Sequence, residues 1–192
     1  MAPLDSRQTT PRKGGPTFPL RHRLFRLAWS VVWYGFGVWT PPPLHGWRNF
    51  LVRCFGGSIA QSAKIYPRVR IWYPPNLTME QYSCIGAGSN CYCMAPITLK
   101  SYALVSQGAH LCAGTHDIDD PHFQLRTRPI TISSNAWVAA DAFVGPGVTI
   151  GEGAVLGARA VAYRDLDAWT VYVGNPAKPI RARRRIDAVS SN

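Results

Sequence analysis

An apolar residue recurs every sixth position through most of the chain, and few architectures accept such a register. The anchors are Ile59, Ile65 and Ile71; Met79, Ile85 and Cys91; Leu99, Val105 and Leu111; Ile132, Val138 and Val144; then Ile150 and Leu156. Four residues after them stand Ala63, Val69, Pro75, Ser83, Ser89, Ala95, Ala103, Ala109, Thr115, Ala136, Ala142, Val148, Ala154 and Ala160, nearly all small. Sandwich strands alternate with period two and keep no six-residue register. A hexad supplies one short strand and one turn, and three hexads close a triangular coil. The large anchor then points into the lumen and the small residue fits the tight corner. The repeat predicts a parallel β-helix, and five coils at the strand spacing of about 4.8 Å stack to roughly 24 Å.

The breaks in register support this. Ile71 to Met79 and Cys91 to Leu99 are each two residues too long, and Leu111 to Ile132 carries 15 extra. Each break follows the third hexad of a coil, so every insertion leaves from one corner of the prism, the longest as an extended loop after coil three.

Composition narrows the function classes. With 192 residues the chain fits one domain, and 46% apolar content excludes a disordered protein. No run of 18 apolar residues exists, so no ordinary transmembrane helix is expected. Charged residues are 16%, against roughly a quarter in typical domains, and 21 Lys and Arg outweigh 10 Asp and Glu to give +11. Five cysteines without a pair of CxxC motifs argue against a disulfide framework or a zinc ribbon, and fit buried, reduced thiols in a cytoplasmic protein.

Four segments are expected. Residues 1–17, rich in Pro, Gly, Thr and basic side chains, read as a disordered arm. Residues 18–56 read as helical: a first helix from Phe18 to Trp39, stopped by Pro41, Pro42 and Pro43, and a second from Leu44 to Phe55 with Trp47, Phe50, Leu51 and Cys54 at helical spacing. Residues 57–175 form the β-helix, and 176–192 a basic tail. The first helix has two readings: a cap on the open end of the β-helix or on a neighbouring subunit, or an anchor on an anionic membrane surface through Arg21, Arg23, Arg26 and an aromatic face. The tail sequence "RARRR" (Arg181, Arg183, Arg184, Arg185) invites nucleic acid, but no recognised nucleic-acid module accompanies it, and none is expected as a partner.

The pattern best kept in "VGPGVTIGEGAVLGARA" resembles the hexapeptide-repeat acyltransferases, whose parallel β-helix is left-handed. "RIWYPPNLT", "THDIDDPHFQLRTRPI" and "VYVGNPAKPIR" resemble, within that superfamily, the O-acetyltransferases of the colanic-acid-biosynthesis type, over about Arg48 to Arg181. The resemblance implies a homotrimer with clefts between subunits, acetyl-CoA as co-substrate, no metal, and a saccharide acceptor from an exopolysaccharide or its precursor, lipid-linked in one version.

It also implies roles. His116, at the corner where the long loop departs, would be the general base, since a neutral imidazole can take the proton of a sugar hydroxyl. Asp117 would orient the ring or stand as an exposed loop carboxylate. The backbone amide of Ala140 would meet the oxyanion, Trp137 would line the cofactor or acceptor cleft, and the amide of Ala158 would contact the pantetheine arm. Arg164, Lys178 and Arg181 would meet CoA phosphates. Cys93 stands near the position where relatives often carry an Asn beside the acceptor, and with Trp137 it would be a substrate-binding residue. Glu80 and Lys100 stand where the hexad prefers Gly. A metal-dependent protein of the γ-carbonic-anhydrase kind shares this architecture, but His110 and His116 fall on successive faces and His122 on the loop. A non-catalytic hexapeptide scaffold is the other alternative.

Overall fold

The structure, a computed structural model, describes residues 3–185. The hexads become three parallel sheets that form the sides of a prism. The first face stacks Ile59, Met79, Leu99, Ile132 and Ile150 in register. On the second face, Ile65, Ile85, Val105, Val138, Leu156 and Tyr172 stand in line. On the third, Ile71, Cys91, Leu111, Val144 and Ala162 complete each coil. All fourteen expected anchors are buried. Five coils are complete. A partial sixth adds the Leu166 bridge to Ile150 and the strand Thr170–Val173.

Three residues after ten of the anchors the backbone turns left-handed, and only Gly88, Gly108, Gly147 and Gly153 among these are glycine. Arg68, Tyr82, Tyr102, Asn135, Asp141 and Arg159 take the same conformation. An L-residue resists that region by about 1–2 kcal/mol. It is held because successive corners hydrogen-bond to each other, as from the Tyr102 amide to the Gln81 carbonyl (3.0 Å) and from Asp141 to Gln107 (3.1 Å). Glu80 and Lys100, the two departures from the hexad, offset each other: they occupy one corner in adjacent coils and pair at 2.8 Å.

The small corner residues follow the hexad except at Pro75 and Thr115, both exposed. Both follow a third-face strand, where the chain leaves the prism instead of turning tightly. The longest excursion is an antiparallel hairpin, Gly114–His116 against Leu125–Thr127.

Helix α1 (Ser6–Thr9), helix α2 (Leu20–Phe36) and helix α3 (His45–Cys54) precede the coils. A β-helix ends in strands whose carbonyls lack a neighbour, and α2 and α3 supply donors for them. The Trp29 and Trp33 indoles donate to the Ile71 and Val69 carbonyls at 2.7 and 2.8 Å. Arg48, Asn49 and Arg53 donate to Ile65, Ala63 and Ile59 at 2.7, 2.7 and 2.8 Å. Leu51 and Val52 close the lumen. The capping role expected for these helices is therefore present, with boundaries a few residues inside those read from the sequence.

Two segments differ from expectation. Residues 3–17 are not a disordered arm: α1 and the following turn lie against the hairpin, with the Ser6 amide donating to Gln124 Oε1 (2.7 Å) and Gln124 Nε2 to the Leu4 carbonyl (3.1 Å). Composition misled because these contacts are made with residues more than a hundred positions away. The start of the basic tail, Lys178–Ala182, pairs antiparallel with Thr170–Val173 and extends the second face. The tail's last residues, 186–192, lie outside the described residues.

Candidate active site

His116 ends the first strand of the hairpin and is exposed. Its ring stacks on Phe123 with centroids 4.4 Å apart and planes 12° from parallel. Nδ1 lies 2.9 Å from the Phe123 carbonyl oxygen. A carbonyl can only accept, so Nδ1 carries the hydrogen and Nε2 presents its lone pair. Phe123 itself has φ of 55°, a left-handed turn that aims its carbonyl back at the ring.

Asp117 is a part-exposed loop carboxylate, and among the described residues it makes no hydrogen bond to the ring. It pairs with Arg126 across the hairpin at 3.2 Å and accepts from the Asp119 amide at 3.3 Å. His116, Asp117, Arg126, Arg128, Pro146 and Tyr163 border a cleft of about 680 Å³. Arg126, Arg128 and Tyr163 had no signal in the repeat, because each sits at an excursion or corner rather than at an anchor.

Tyr163 also borders a second cleft, of about 440 Å³, which holds Arg164 and Lys178. The structure thus brings together two of the three expected phosphate contacts. Arg181 stands exposed on the added strand and is not among the residues of that cleft.

Trp137, Ala140 and Ala158 lie elsewhere. Trp137 faces outward from the second face, 41% exposed, its indole donating to Ser106 Oγ at 2.9 Å. Ala140 and Ala158 follow second-face strands, at the corner leading to the third face. Neither amide donates to another group among the described residues. The same holds for Gln107 in the coil above, so corner geometry frees this amide and does not by itself select Ala140. Within one chain the whole third face separates these groups from His116.

Cys93 is corrected. It is fully buried, its thiol wedged between the Tyr73 carbonyl and amide at 3.3 Å each, and burial pushes it up to about 11. A side chain sealed under the 72–76 excursion cannot touch an acceptor. Cys91 is likewise buried and its thiol raised, Cys84 and Cys112 are partly covered, and Cys54 is exposed.

His110 lies on the third face, 3.2 Å from Asn90 Nδ2 and edge-on to Phe143, with its ring held below the usual imidazole range by burial. His122 is on the hairpin turn, its amide donating to Asp120 Oδ1 at 2.9 Å.

No family model matches the chain. WcaF of Escherichia coli (strain K12), named as a colanic acid biosynthesis acetyltransferase, is 42% identical over 155 residues, 81% of this chain and 85% of that protein. A Dictyostelium discoideum protein named as an acetyltransferase is 32% identical over 137 residues, 70% of this chain and 72% of its own. Among solved structures, the hexapeptide-repeat acetyltransferase VCA0836 from Vibrio cholerae superposes with a TM-score of 0.78 at 19% identity, covering 87% of this chain and 95% of that one. A maltose O-acetyltransferase from Clostridium difficile 630 gives 0.77 at 20% identity, covering 87% and 90%. At such identities the structures speak for the fold, a left-handed hexapeptide β-helix, while the identity to WcaF over most of both chains carries the relationship: the chain belongs to the hexapeptide-repeat acetyltransferases, with WcaF as a relative.

Proposed function

We propose that the protein transfers an acetyl group from acetyl-CoA to a sugar hydroxyl of an exopolysaccharide or its precursor, with His116 as general base. The observation that carries this is the Nδ1–H to Phe123 carbonyl hydrogen bond, which leaves Nε2 free to accept a proton at the edge of an open cleft. Nε2 takes the hydroxyl proton as the oxygen attacks the thioester carbon. The tetrahedral oxyanion accepts a hydrogen bond from the Ala140 amide and collapses, expelling the CoA thiolate, which recovers the proton from His116. No acyl-enzyme is needed.

The separation of His116 from Trp137, Ala140 and Ala158 by a full face supports assembly of the site between copies. In this reading the second-face corner of one copy lies against the hairpin of the next, in a homotrimer. Arg164 and Lys178 would meet CoA phosphates, and Asp117 would act only through Arg126. WcaF is named for colanic acid biosynthesis, which favours a saccharide acceptor here, and the free thiols suit a cytoplasmic site of action. The test is an acceptor screen with labelled acetyl-CoA. Transfer to saccharides with hydroxyls only, lost in His116→Ala, supports the reading, whereas transfer to amino sugars alone overturns it. A fully active monomer would overturn the shared cleft.

A further inference from the structure

We infer that the helical end of the protein lies on an anionic phospholipid surface. Capping uses one face of α2: Trp29 and Trp33 are buried on the first coil, and Arg26 stacks on Trp72. The opposite face carries Leu20, Leu24, Leu27, Val31 and Tyr34, each more than half exposed. Their spacing of four and three residues makes a continuous stripe along 17 residues of helix, about 25 Å long. Trp39 and Trp47 extend the exposed apolar surface at its C-terminal end, their indoles tied to the Gly35 and Phe36 carbonyls at 2.7 and 2.8 Å. Because the tryptophans pin the other face, this stripe is held outward.

Charge selects the occupant. No Asp or Glu occurs between Asp5 and Glu80, while residues 1–79 hold eleven Lys and Arg. That stretch therefore carries +10 of the formal +11, and the remaining residues are nearly neutral. Arg21 and Arg23 are exposed and flank the stripe. A second copy would oppose this cationic surface with itself, whereas anionic headgroups complement it and accept the apolar stripe among their acyl chains. No described helix is long and apolar enough to cross a membrane, so the contact is peripheral. Capping and surface binding, alternatives from sequence alone, use opposite faces of one helix.

The test reads binding and not turnover, so it is independent of the proposed reaction. The full chain is sedimented with vesicles of mixed phosphatidylglycerol and phosphatidylcholine, and with phosphatidylcholine alone. Binding should require the anionic lipid and weaken as salt rises from about 0.1 M to 0.5 M, over which the screening length shortens about twofold. Arg21→Ala/Arg23→Ala should weaken it roughly thirty-fold, the worth of two cations near a charged surface. Leu24→Glu/Leu27→Glu/Val31→Glu should abolish it while leaving the lipid-free sedimentation mass unchanged. Equal binding to neutral vesicles, or no binding to either, overturns the inference. So does a smaller lipid-free mass for the triple variant, which would show that a second copy covers the stripe.

Discussion

The coils and the 114–127 hairpin are both β structure, but they are secured by different means. In the coils each position is repeated above and below, so an anchor such as Leu99 is buried by Met79, Ile132 and the facing anchors at once. The hairpin has two short strands in which Leu125 alone is buried. It is steadied from outside by Gln124 bonded to the N-terminal arm, by Arg12 donating to the Pro121 carbonyl at 3.2 Å, and by Leu125 packed with Phe18 and Met94. The difference teaches where stability and chemistry reside: the prism is over-determined and its anchors are apolar side chains apart from the Cys91 thiol, which burial raises, while the imidazole sits on a hairpin held from outside the coils.

That contrast can be broken in graded ways. His116→Ala should reduce turnover by about 10²–10⁴-fold, the usual worth of a general base, while thermal unfolding stays near that of the parent because the side chain is exposed. Leu99→Ala should do the reverse, costing about 2–5 kcal/mol of stability through the cavity it leaves, seen as a lowered denaturation midpoint with kcat per folded molecule retained. If Leu99→Ala instead lost activity without loss of stability, the division between prism and hairpin would fail.

Removing residues 1–17 should lower kcat/KM by on the order of tenfold, since the hairpin loses the bonds of Ser6 and Leu4 to Gln124 and of Arg12 to Pro121, and the base its fixed position. The denaturation midpoint should move little. Asp117→Asn should change kcat/KM by less than about threefold, the measure of an exposed pair with Arg126. A loss as large as that of His116→Ala would show that this carboxylate reaches the ring during turnover.

The smallest effect concerns pH. His22 is buried under α2 between Phe18, Trp72 and Tyr73, and burial, then the nearby Arg26, hold its ring below the usual imidazole range. The unfolded chain therefore takes a proton that the folded one refuses. Stability is full above the ordinary histidine value near 6.5 and declines as pH falls through it towards the lower folded value. Denaturation midpoints at pH 7.5 and about 5.5 should differ less in His22→Phe than in the parent.

The anchors and the corner of every insertion were legible from the sequence, because each follows from periodicity repeated many times; the two helices ahead of the coils were legible from their apolar spacing, while their capping role was one of two readings. His116 was legible as a candidate only where a resemblance met the longest register break. Its orientation was not: Phe123 stands seven residues away on a turn that no repeat encodes, and Asp117, the nearer polar neighbour, bonds elsewhere. Cys93 failed for a related reason, since a position in the chain does not say whether the 72–76 excursion folds over it.

The sequence by itself determined the prism, since a six-residue register of large anchors and small corners can bury its apolar residues in hardly any other way. Tertiary structure alone decided which groups stand at the prism's edges. The arm on the hairpin, the tautomer of His116, the pairing of Glu80 with Lys100, and the outward stripe of α2 each depend on residues far apart in sequence meeting in space. Local pattern records what a residue must bury, and only the folded chain settles what it faces.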